Sequence, residues 1–116
     1  MEIYEMPYDK LSFMKNDKGN VSVIGEFVND KPFEIELKYT EIWLILKKIT
    51  NFIFSIHSEL YSTGDNPSIV VYENTPKNFV MKYDKSLFHI TIGYNHITYT
   101  FSYNQGHISN LIKFLL

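Results

Sequence analysis

Between residues 33 and 60 the apolar spacing changes period, and that change restricts the fold more than any other feature. Phe33, Ile35, Leu37 and Tyr39 alternate with Glu34, Glu36 and Lys38, the two-residue period of a strand with one buried face. From residue 40 the spacing becomes three and four. Ile42, Ile45, Leu46, Ile49, Phe52, Ile53, Ile56 and Leu60 then share one broad face of a helix. A strand running straight into a long amphipathic helix excludes all-α and all-β folds. The helix is expected over 40–60, with Thr40 as N-cap and Glu41 near the positive end of the dipole.

The strand before the helix has partners upstream. Val21, Val23 and Phe27 follow the same parity, and a three-residue loop Asn29-Asp30-Lys31 would pair Phe27 with Phe33 and Gly25 with Ile35. The turn Asp17-Lys18-Gly19 puts Gly where a hairpin loop wants a left-handed residue, which sets Phe13 opposite Val23. Downstream, 61–67 contains only turn formers, and a further strand lies around Ser68–Glu73. A loop at Lys85-Ser86 pairs Tyr83 with Phe88, Met81 with Ile90 and Phe79 with Ile92. Another at Tyr94-Asn95 pairs Ile92 with Ile97, Ile90 with Tyr99 and Phe88 with Phe101. Ile108, Leu111, Ile112 and Leu115 form the stripe of a short C-terminal helix.

The expected order is therefore βββ-α-ββββ-α, an α+β fold. Its economical packing is two-layer, a curved antiparallel sheet of about seven strands with two helices packed on one face. Closure of the sheet into a barrel is the alternative. With 116 residues and no internal repeat or linker, the chain is expected to form a single domain over 1–116.

Composition removes several functional classes. Hydrophobic residues make up 45% and charged residues 21%, which excludes a disordered chain. A net charge of −2 gives no global attraction to nucleic acid or an anionic membrane. All eleven cations are Lys, so the planar fork that reads phosphate or guanine is missing. There is no Cys, hence no thiolate metal site, disulfide or thiol nucleophile. The absence of Ala beside abundant Ile, Asn, Lys, Tyr and Phe is the bias of an AT-rich coding sequence. The acidic start Met1-Glu2-Ile3-Tyr4-Glu5 lacks the features of a signal peptide. Lys47, Lys48, Thr50 and Asn51 interrupt the longest apolar stretch, so no span is expected and a cytoplasmic location is.

Catalytic constellations are not legible. His89 and His96 fall on the polar face of the last meander, where His89 is expected to face Thr100 and no carboxylate orients either ring. His57 lies on the helix flank and His107 near the start of the terminal helix. No metal site and no cofactor is expected, because no third ligand accompanies the histidines and the glycines are isolated. Asp9, Asp17, Asp30 and Asp65 sit in turns or loops, where Asp is an ordinary turn former.

Two surfaces exceed this plain background. The three-residue loop would place Glu26 directly opposite Glu34, with Glu36 next along, an arrangement of like charges that costs stability and suits a basic partner. On the helix, Trp43 and Phe54 lie far from the apolar stripe, beside Lys47 and Thr50. They are either covered by the C-terminal helix or the 61–67 loop, or they form a contact surface.

These features together suggest a small non-catalytic binding protein, in concrete form a bacterial immunity protein. It would occlude the active site of a cationic, nuclease-type toxin through Glu26, Glu34, Glu36, Trp43, Lys47 and Phe54. The alternatives are a phage-encoded inhibitor of a host defence protein and a homodimeric small-ligand-binding protein or enzyme. The expected partner is a protein, toxin or other basic protein, with no nucleic acid and no membrane; homodimerisation stays open.

Overall fold

The computed structural model describes residues 1–7, 10–25, 32–57, 67–94 and 97–116. Its elements are β1 (Glu2–Glu5), β2 (Leu11–Lys15), β3 (Val21–Gly25), β4 (Phe33–Leu37), α1 (Tyr39–His57), β5 (Ser68–Asn74), β6 (Lys77–Asp84), β7 (Leu87–Tyr94), β8 (Ile97–Tyr103) and α2 (Gln105–Leu115). The α+β class is as expected. The single seven-strand sheet is not: the strands form two four-stranded antiparallel sheets, β1-β2-β3-β4 and β5-β6-β7-β8. Neither closes into a barrel among the described residues. The same ββββα unit thus occurs twice in succession, although the sequence carries no repeat. The strand that sequence reading missed is β1, whose residues are exposed apart from a half-buried Tyr4. An edge strand of this kind is held by backbone pairing to β2 and needs no alternation of its own.

Two of the expected registers hold. Phe13 lies opposite Val23, and Tyr83, Met81 and Phe79 lie opposite Phe88, Ile90 and Ile92. The β6–β7 turn places Lys85 and Ser86 at φ values of 52° and 67°, the backbone of a two-residue hairpin whose twist matches its strands.

Two registers differ from expectation, each by two residues. In β3–β4, Gly25 faces Phe33, Val23 faces Ile35 and Ile24 faces Glu34. The reason is steric: a Cβ at residue 25 would overlap the Phe33 ring, so the one position without a side chain receives the largest opposing one. Phe27 and the loop 29–31 lie outside the described residues. In β7–β8, Tyr94 faces Ile97, Ile92 faces Tyr99, Ile90 faces Phe101 and Phe88 faces Tyr103. His89 consequently faces Ser102, not Thr100. The observed register brings the buried Tyr103 opposite Phe88 and leaves Ile97 at the exposed end of the ladder. A shift of two preserves parity, so every inward residue stays inward.

The start of α1 also corrects expectation. Lys38, not Thr40, is the N-cap: its carbonyl accepts from the Glu41 N–H at 2.8 Å and the Ile42 N–H at 3.2 Å. The Lys38 N–H in turn donates to Glu41 Oε2 at 3.0 Å, one half of a capping box. The Tyr39 N–H donates to Asn20 Oδ1 at 3.0 Å, so the β2–β3 turn caps the helix from outside. Ile42, Ile45, Leu46, Ile49 and Phe52 are buried, as the periodicity requires; Leu60 lies outside the described residues.

The helices run antiparallel. The start of α2 meets the end of α1, where His57 Nε2 and Gln105 Oε1 are 2.8 Å apart. At the other end Leu115 and Leu116 lie beside Trp43 and Leu46. At about 1.5 Å per residue, the part of α1 from Leu46 to His57 matches the length of α2. The first turns of α1, from Tyr39 to Ile45, overhang it. Asn104 caps α2 by accepting from the His107 N–H at 2.9 Å, and Lys15 Nζ donates to the Phe114 carbonyl at its far end, at 2.6 Å.

The helix stripes and the inward residues of both sheets form one buried cluster. Phe33 of β4 stacks on Tyr99 of β8, with centroids 5.3 Å apart and planes 10° from parallel, which joins the two sheets. That stack holds the Phe33 ring over Gly25. Replacing Gly25 by Ala is therefore expected to cost about 1–3 kcal/mol by overpacking, measured as a lower urea midpoint at unchanged slope.

Candidate protein-binding surfaces

On the outer face of the first sheet the registers define two rows, Ile3–Met14–Ser22–Glu36 and Glu5–Ser12–Ile24–Glu34. Glu34 and Glu36 are exposed, and so is Glu5. At ~4.8 Å per strand, Glu5 stands roughly 14 Å from Glu34 across the sheet. The two strands between them present Ser12, Met14, Ser22 and Ile24, and Ile3, 58% exposed, stands on β1 with Glu5. No lysine points outward from these four strands, since Lys15 turns inward to α2.

The expected opposition of two carboxylates is not present. Ile24 faces Glu34, because the register is shifted and Glu26 lies outside the described residues. Glu5 takes its place as a third carboxylate of this face. Sequence reading missed it because its position depends on β1 pairing with β2. A chain of three matching parities, from β4 back to β1, was the only signal that could have found it.

The second surface lies on the helices. Trp43 is 71% exposed and Phe54 69%, so α2 does not cover them. Leu44, which the sequence did not single out, is 61% exposed. Where α1 overhangs α2, a groove of about 510 Å³ opens, lined by Trp43, Leu44, Leu46, Lys47, Thr50, Ile112 and Leu116. Phe54 stands further along α1 and does not line it. Thr50 Oγ1 donates back to the Leu46 carbonyl at 2.8 Å, so the groove wall presents little unsatisfied polarity there.

The two surfaces face opposite ways. Glu34 and Glu36 project from β4 on the side opposite Phe33, Ile35 and Leu37. Those three share the buried cluster with the stripe of α1, and Trp43 and Lys47 stand on the far side of that helix. The six residues singled out from sequence therefore divide: Glu34 and Glu36 on the sheet, Trp43, Lys47 and Phe54 on the helix, and Glu26 undescribed.

The outer face of the second sheet mixes Val70, Val80 and Leu87 with polar side chains. His89 Nδ1 lies 2.7 Å from Ser102 Oγ, and Thr91 Oγ1 lies 3.2 Å from Thr100 Oγ1. A histidine beside a hydroxyl is the first half of a nucleophilic site, but the other cross-strand neighbour of His89 is Lys82. Neither cross-strand neighbour of His89 is a carboxylate that could orient its ring as a catalytic base requires. His96 lies outside the described residues. Among the described residues no three His, Asp or Glu side chains gather as a metal ion would require. Neither helix is long and apolar enough to cross a membrane.

No protein-family model matches the sequence, and no curated protein is significantly similar to it. Among solved structures the chain is similar to the crystal structure of a protein of unknown function from the DUF155 family of Prochlorococcus sp. NATL2A. That similarity has a TM-score of 0.54 at 12% identity and covers 99% of this chain and 98% of the other. At such identity the likeness concerns the fold, an end-to-end match of both ββββα units, and carries no activity across.

Proposed function

We propose that this is a small, non-catalytic, cytoplasmic binding protein of the immunity type, which neutralises a cationic toxin by covering its active site. One observation carries the reading: the outer face of the first sheet sets three carboxylates, Glu5, Glu34 and Glu36, on its two edge strands, with Met14 and Ile24 among the residues between them and no outward lysine. Charge confined to the rim, with uncharged and partly apolar side chains between, is the anatomy of a protein interface. The carboxylates steer a basic partner to the face and fix its orientation, and Met14 and Ile24 are desolvated on contact.

The test uses the intact protein as bait in its native cell, with the captured partner identified by mass spectrometry and then purified. The Glu34→Lys/Glu36→Lys variant should keep its thermal transition, since exposed substitutions usually change stability by less than ~0.5 kcal/mol. Its association rate with the captured partner should fall by roughly tenfold or more at low salt, and the difference should shrink as salt screens the charges. Equal rates for the two proteins at both ionic strengths would remove this face, and with it the proposed mechanism.

A further inference from the structure

We propose that the groove between α1 and α2 is a docking site for an acidic amphipathic helix of another protein. This second surface is opposite in position and in charge to the acidic face of the first sheet, and it does not depend on the toxin-neutralising reading.

The groove exists because the helices differ in length. The overhanging turns of α1 present Trp43 and Leu44 at the end of α2, Leu46 follows at the edge of the overhang, and Ile112 and Leu116 close the other wall. An antiparallel pair with such a step has ridges on two sides and an open apolar channel between them. That is the seat a third helix takes by ridge-into-groove packing.

The rim sets the chemistry of the occupant. Lys47 lines the groove from α1. Lys113 is exposed on α2, next to Ile112 and one turn before Leu116, so it stands on the same outer flank. The described acidic residue on these helices is Glu41, and its carboxylate is engaged by the Lys38 N–H. A lysine thus flanks the channel on each side. A helix about 10 Å across, with leucines or aromatics on its buried face and Asp or Glu on both shoulders, meets both lysines at once. The concave shape favours such a helix over a flat bilayer surface.

Trp43 is the one tryptophan of the chain, so its emission reports on the groove directly. The probe is a synthetic amphipathic helix with a leucine face and glutamates on both flanks, compared with its lysine-flanked counterpart. The glutamate peptide should give a saturable blue shift and bind at least about tenfold more tightly than the lysine peptide at low salt. Lys47→Glu combined with Lys113→Glu should reverse that order while the thermal transition stays in place. Glu34→Lys/Glu36→Lys should leave peptide binding unchanged, so failure here and failure of the proposed function are separately visible. Equal response to both peptides, or none, would overturn the proposal. So would a blue shift produced by phosphatidylglycerol vesicles and not by the peptide, which would make the face a membrane surface. A shift that appears on raising protein concentration alone, with dimers in sedimentation, would give the groove to a second copy of the chain.

Discussion

Replacing Ile90 by Asp is expected to unfold the protein outright, with loss of any cooperative thermal transition. Ile90 is fully buried, between Met81 on β6 and Phe101 on β8. Truncation alone at such a site costs about 2–5 kcal/mol. A carboxylate left there without a partner adds several more, whether it stays charged or takes up a proton. The sum is comparable with the ~5–15 kcal/mol that holds a typical domain together. Ile90→Val is the control and should cost only about 0.5–1.5 kcal/mol. A stable, cooperatively melting Asp variant would show that the inner face of the second sheet is not where the core lies.

Phe88→Ala should be severe but survivable, at about 3–5 kcal/mol. The ring is 1% exposed and is one of the points where the first helix meets the second sheet. It meets Phe52 of α1 edge-on at 6.3 Å and Tyr83 of the neighbouring strand at 5.0 Å. Phe52 and Tyr83 approach from different elements, so neither can close the vacated space without moving its own backbone. For a domain of this size the melting temperature should fall by on the order of 10–20 °C. The urea midpoint should fall with little change of slope, since the surface exposed on unfolding is nearly the same. A shift of only a few degrees would mean that α1 settles onto the sheet without this ring.

The contrast between parity and register shows which parts of the fold the sequence could specify. Ile90 faces inward under either the expected pairing with Tyr99 or the observed one with Phe101, because a slip of two residues changes partners but not faces. Hydrophobic alternation therefore determined the core and left the partners open. Choosing partners needed information from beyond the strand: the fit of Phe33 over Gly25 for one hairpin, the burial of Tyr103 opposite Phe88 for the other. The division into two sheets was illegible for a similar reason. β1 contributes backbone bonds more than burial, so its sequence has no face to read.

The candidate sites follow the same division. That Trp43 and Phe54 point away from the core was legible from helical angle alone, and both are exposed. The groove beside Trp43 was not, because it depends on where the end of α2 falls along α1. Leu46, which is itself buried, and Leu116 become walls of one channel only through that antiparallel alignment. Glu34 and Glu36 were found by alternation. Glu5 joined them through the pairing of β1 with β2, the one of three successive pairings that the sequence did not show.

Every strand in either sheet pairs only with its immediate neighbour along the chain. Each hairpin therefore closes a short loop, and the entropy lost in closing a loop grows with its length. Ladder formation is in this sense local, and its kinetic barrier is set by turns such as Lys85-Ser86 and not by a search across the chain. Among the described residues the costly closures include the Phe33–Tyr99 stack, the Phe52–Phe88 contact, the His57–Gln105 contact between helix ends, and the Lys15–Phe114 bond, which spans 99 residues. Contacts of that reach are expected to form after the meanders. They then act as latches, governing how slowly the assembled protein comes apart more than how quickly it assembles.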